Sequence, residues 1–228
     1  MNSKKYSVVI IASILLFSCN SSPKVELVKE TNKISADMQL DHFNIWVEKP
    51  QMAKEKLRNI GFTFIPDSLS AIHHGQGTTG RYLNFLNGYL ELIYVYDSVE
   101  LLENSRANPK LDFVDRANFN NNGASPFSLA LKVKGYDTTK IPFEKVRYHQ
   151  DWMGEEGSIY TAINSKTNLG EPSIFVVYPE IEYKMFESLS DVESIPDEYA
   201  FWRESFKHSN GAKKLTNIII HSKELEED

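Results

Sequence analysis

The chain has 228 residues, with 25 Lys and Arg against 31 Asp and Glu, a net charge of −6, 41% hydrophobic residues and a single cysteine. That length can bury the core of one full-sized domain or two small ones. The acidic balance excludes a general nucleic-acid binder, and one cysteine excludes both an intramolecular disulfide framework and a Cys-rich zinc site.

The chain opens with a basic start, Lys4-Lys5, followed by an apolar run from Val8 to Phe17. This is signal-peptide anatomy, too short to span a bilayer comfortably. The run stops at Ser18-Cys19, and Leu16-Phe17-Ser18-Cys19 resembles a bacterial lipobox, with Phe17 departing from the usual small or aliphatic choice. The resemblance implies removal of residues 1–18, lipidation of Cys19 and anchoring in the bacterial cell envelope. Residues 19–37 are polar and weakly periodic and read as a flexible tether.

The next elements follow in order. Leu40 to Val47 has the β-favouring residues of a strand. Pro50 suits the first turn of a helix whose apolar stripe would be Met52, Leu57 and Ile60, ending at Gly61. Phe62 to Pro66, Arg81 to Leu86 and Tyr89 to Tyr96 read as strands, with Asn87-Gly88 at two-residue hairpin spacing. Residues 38–97 are therefore β-α-β-β-β. A helix-leaning insert occupies 98–124, and Asp112 and Asp115 at i, i+3 read as its solvent face. Residues 125–180 partly repeat the pattern: a strand at Pro126 to Val133, at most a short helix at Ile141 to Val146, and strands at Ser158 to Asn164 and Pro172 to Tyr178. Residues 181–228 read as a helical excursion anchored by Tyr199-Ala200-Phe201-Trp202, then a last strand from Leu215 to His221 and a charged tail.

Paired β-α-β-β-β modules in an α+β chain resemble the vicinal oxygen chelate superfamily, which includes glyoxalase I, bleomycin-resistance proteins and extradiol dioxygenases. Leu40-Asp41-His42, His73-His74-Gly75-Gln76-Gly77-Thr78 and Tyr89-Leu90-Glu91-Leu92-Ile93 look like its glyoxalase-like domain branch. The resemblance implies a cup-shaped mixed sheet holding a divalent metal (Zn, Ni, Fe or Mn) that polarises two substrate oxygens. By position, His42 and Glu91 would be ligands, Glu91 would also be the catalytic carboxylate, and His74 or His73 would complete the set. His73, His74, Gly75, Gly77, Thr78 and Tyr89 would contact the ligand. Superfamily cups are often completed by paired or swapped modules, so a homodimer is expected.

The second module departs from this pattern. Phe127 or Ser128 stands where a ligand would sit, and Ser173 to Tyr178 carries no acid or imidazole. Two readings follow: a metal-dependent lyase, isomerase or dioxygenase-like enzyme acting on a small oxygenated substrate, or a metal-free small-molecule binding protein. A surface interaction module is a third. Gly75 to Gly80 spells G-x-G-x-x-G, but no strand precedes it and a hairpin strand follows, which rejects a dinucleotide fold. Glu155-Glu156, near Trp152 and His149, reads as a solvated acidic turn.

Overall fold

The computed structural model describes residues 37–178, 181 and 183–221. The signal peptide, Cys19, the tether through residue 36, Glu180 and the charged tail lie outside the described residues. The first module comprises β1 (Met38–Trp46), α1 (Pro50–Asn59), β2 (Ile72–His73), β3 (Thr78–Phe85) and β4 (Gly88–Val95). The insert holds α2 (Ser98–Ala107), α3 (Phe113–Ala117) and α4 (Phe119–Asn122). The second module comprises β5 (Phe127–Val133), β6 (Lys145–Tyr148), β7 (Ile159–Ala162), α5 (Asn164–Thr167) and β8 (Ser173–Val177). The C-terminal excursion carries α6 (Leu189–Val192) and α7 (Ala200–Glu204).

The strands form one mixed sheet in the order β2-β3-β4-β1-β5-β8-β7-β6. β1 is parallel to β4, β5 is parallel to β8, and β1 and β5 meet antiparallel at the centre. The modules are thus related by a pseudo-twofold axis at the β1–β5 seam, and the α+β, paired-module fold class stands. One chain supplies both halves.

Alternation decides which side chains reach which face. His42, Asn44 and Trp46 of β1 and Tyr89, Glu91 and Ile93 of β4 line the concave side. Phe43, Leu90 and Leu92 point the other way, into a core completed by Phe62, Phe64, Leu83, Phe85 and the inner edge of α1. Each large side chain so buried contributes about 1.5–3 kcal/mol, so this convex layer is what holds the concave one in register.

Several elements differ from expectation. Met52 and Ile60 are exposed; α1 instead packs Ala53 and Leu57 on the core. Lys54, one position along, runs its stem over Phe64 to reach Asp67. The hairpin loop is Leu86-Asn87, with Gly88 already paired to Phe85. Phe62 to Pro66 joins no ladder, although Phe62 and Phe64 are buried, and the short β2 takes the edge beside β3.

In the second module Ile141 to Val146 forms no helix. Two 3₁₀ turns, Lys134–Tyr136 and Thr138–Lys140, fill the crossover, and β6 follows as a strand of alternating character. In the insert, Asp112 is buried against Arg116 rather than solvated.

The predicted last strand from Leu215 is extended but unpaired. The Asn87 side chain substitutes for a neighbouring strand, accepting from Leu215 N at 2.8 Å and donating to Leu215 O at 2.9 Å. Just upstream, His208 is wedged under β3: its Nδ1 accepts from Thr63 N at 3.1 Å and its Nε2 donates to Asn84 O at 2.8 Å. Those two bonds require the neutral ring, and burial holds the imidazole below its usual range. The excursion itself is anchored by Phe186, Val192, Ile195 and Phe206. Trp202 packs on their edge, and Tyr199 is exposed.

Candidate functional site

β1 carries the first functional group through an irregularity. Leu40 pairs with Leu131 and His42 with Ala130, so Asp41 is an extra residue in the ladder. Neighbours on a regular strand point to opposite faces; the bulge turns Asp41 and His42 towards each other. Asp41 Oδ1 lies 2.6 Å from His42 Nδ1, and Asp41 Oδ2 accepts from Tyr183 N at 2.7 Å, with Lys132 Nζ at 3.8 Å. A carboxylate only accepts, so Nδ1 carries a proton, and in the neutral ring Nε2 offers a lone pair. Tyr89 stacks on the ring at 4.2 Å and Phe175 meets it edge-on at 5.6 Å, fixing its plane. Among the described residues no hydrogen bond engages Nε2.

Glu91 stands opposite Asn44 in register and is 4% exposed. Gly80, on β3, makes room for it, because a methyl group there would collide with Glu91 Oε1. Burial raises the Glu91 carboxyl to about 7, and the Tyr82 hydroxyl beside it pulls it partly back. His73 is held by Thr78 Oγ1 at 3.0 Å and the Tyr82 hydroxyl at 3.1 Å, and it stacks on Trp152 at 4.5 Å. Burial, and then repulsion from His42, lower it to about 4, so it is neutral near pH 7. It lies 4.0 Å from Glu91 Oε1, beyond hydrogen-bond reach.

These groups line a cavity of about 100 Å³ between the two halves of the sheet. Its walls mix aromatic, aliphatic and polar side chains, and three of the lining residues each carry a buried polar atom without a hydrogen-bond partner: Asn44 Oδ1, Glu91 Oε1 and Trp152 Nε1. A buried polar atom without a partner costs about 1–3 kcal/mol. Residues of this kind gathered around one cavity are the pattern of a binding site.

The structure brings four of the sequence-derived candidates, His42, Glu91, His73 and Tyr89, to this cavity. His74 is exposed in the turn after β2 and does not reach it. Gly75 donates its N–H to Glu100 Oε1 at 2.5 Å, and Thr78 acts behind the wall by orienting His73. Gly77 (φ +77°) lies against the backbone of α2, where any side chain would collide with Leu101. Sequence reasoning missed Asn44, Trp152 and Asp41. Asn44 was reachable by alternation from His42, but Trp152 sits in a 3₁₀ turn with no periodic signal.

The donor set does not fit the divalent metal that the superfamily resemblance implies. Among the described residues no three His, Cys, Asp or Glu side chains converge on a common point. His73 has both nitrogens engaged, and Ser128, Ser173 and Phe175 occupy the second-module side. That leaves His42 and Glu91 where a catalytic centre uses three ligands.

A curled sheet of two pseudo-symmetric modules around a ligand-sized cavity defines a vicinal-oxygen-chelate-type protein. The chain belongs to the glyoxalase-like domain family, which it matches over residues 40–227. Among solved structures it is similar to a hypothetical protein from Bacillus halodurans C-125 at 9% identity and a TM-score of 0.39, covering 64% of this chain and 98% of that one. It is also similar to a hypothetical protein from Staphylococcus aureus at 12% identity and a TM-score of 0.41, covering 67% of this chain and 66% of that one. No curated protein matches the chain.

Proposed function

We propose that this glyoxalase-like domain is a metal-free receptor for a small organic molecule, held at the bacterial envelope. The observation that carries the binding role is that three residues lining one cavity, Asn44, Glu91 and Trp152, each hold a buried polar atom without a partner in the protein. An occupant that hydrogen-bonds these residues would match polar groups that the protein's own side chains leave unpaired.

The test is Glu91→Gln in the full chain. Because the folded-state pKa is raised, the carboxyl costs nothing below its unfolded value of 4.5, and the penalty grows as pH rises through about 7. The variant is therefore expected to match the wild type near pH 4.5 and to be more stable at pH 8 by about 3 kcal/mol, read by denaturant unfolding. A metal centre predicts the reverse: stoichiometric metal in the purified protein, lost together with stability in the variant. That result would sink the receptor reading.

Envelope anchoring rests on Lys4-Lys5, the apolar run and Cys19 at its end. Cys19→Ser is expected to move the protein from the detergent phase to the aqueous phase on partitioning, and unchanged partitioning argues against lipidation.

A further inference from the structure

The receptor reading leaves open what the cavity holds, and the polarity of its wall narrows the choice. Asn44 Oδ1 and Glu91 Oε1 are acceptors, and so is His42 Nε2 when the ring is neutral. They occupy one contiguous patch: His42 and Asn44 are two apart on β1, and Glu91 is Asn44's partner on β4. The Asp41 carboxylate behind His42 is what makes Nε2 an acceptor. Against these three stands one unpartnered donor, Trp152 Nε1.

The cationic side chain on the cavity is already committed. Arg116 gives its N–H groups to Asp112, Ser125 O, Leu169 O, Glu171 O and Ser165 O. Among the described residues the lining therefore offers Glu91 no free Lys or Arg, its neighbours being the Tyr82 hydroxyl and the neutral His73 ring at 4.0 Å. A buried carboxylate without a counter-charge is matched best by a cation brought by the occupant.

Resting on the receptor reading, we infer that the cavity takes a ligand with a protonated primary amine on an aromatic or apolar body. The ammonium meets the three acceptors, having three N–H donors for them, and the body lies among the aromatic side chains. Trp152 Nε1 remains for an acceptor elsewhere on the ligand.

Three probes that share a phenol ring separate charge from shape: tyramine, 4-ethylphenol and 4-hydroxyphenylacetate. Binding is read by titration calorimetry on the full chain in detergent at pH 8. Tyramine is expected to bind at least about tenfold tighter than 4-ethylphenol, with 4-hydroxyphenylacetate weakest, and Glu91→Gln should erase the preference. Asn44→Asp, which adds a second carboxylate to the same patch, should widen it, and it serves if Glu91→Gln misfolds. Equal binding of the amine and the neutral phenol would overturn the ammonium assignment and leave the receptor reading standing. Tightest binding of the carboxylate, or no binding by any probe, would also overturn it; the receptor reading is judged separately by the stability test above.

Discussion

Arg116→Met is expected to lower the unfolding free energy by about 3–5 kcal/mol and the melting temperature by roughly 10 °C. Arg116 is 1% exposed and sits at a junction. Its Nε donates to Asp112 Oδ2 at 2.8 Å, which ties the two ends of α3 together. Its terminal nitrogens donate to Ser125 O at 3.0 Å, Leu169 O at 2.9 Å, Glu171 O at 2.6 Å and Ser165 O at 2.7 Å. One side chain thus pins the insert to the entry of β5 and to the turn between α5 and β8. Methionine fills similar volume but leaves Asp112 as a buried charge with no counterion and the carbonyls short of donors. Lysine should rescue little, since one ammonium cannot reproduce the planar fork. Adding Asp112→Leu to the methionine variant should recover part of the loss by removing the stranded charge. Thermal unfolding followed by circular dichroism decides: a loss under about 1 kcal/mol would mean the network contributes no more than an ordinary surface cluster.

Asp41→Ala is expected to cost about 3 kcal/mol, because it strips a buried acceptor from both the His42 ring and the Tyr183 amide. The more informative change is Asp41→Asn, which keeps the shape. Two donors, His42 Nδ1–H and Tyr183 N–H, then face an amide with only one accepting atom. The imidazole relieves the conflict by moving its proton to Nε2, so Nδ1 accepts from the new amide. The group His42 presents to the cavity changes from acceptor to donor with little movement of atoms. Nitrogen-15 spectra of His42 should show the proton at Nδ1 in the wild type and at Nε2 in Asp41→Asn. The same tautomer in both proteins would show that Asp41 does not control the ring.

The sequence patterns that were legible are those that repeat. Alternation located β1, β3, β4, β5 and β8, and with the module order it led to the paired cup. The family resemblance, rather than the alternation, assigned His42 and Glu91 to the cup. Single-residue events were not legible. The bulge at Asp41 breaks the period of two that a strand reading assumes, so alternation does not reveal its contact with His42. His73 and His74 are consecutive, and only the register of the short β2 decides which is buried. Lys145 to Tyr148 was hidden by the short helix read at Ile141 to Val146, because the crossover is too brief to state its own periodicity. Asp112 and Asp115 at i, i+3 read as a solvent face; only the loops folded over Arg116 make its pair with Asp112 internal.

The bulge also sets a parity for the N-terminal end of β1. Deleting one residue between Leu40 and His42 would restore a regular pleat, and Met38, Gln39 and Leu40 would each exchange faces relative to the strand that follows. The carboxylate would go at the same stroke. Substitutions can be absorbed one at a time along this strand, whereas a one-codon deletion would reverse everything upstream of the histidine. Sequence length here is thus under tighter constraint than sequence identity.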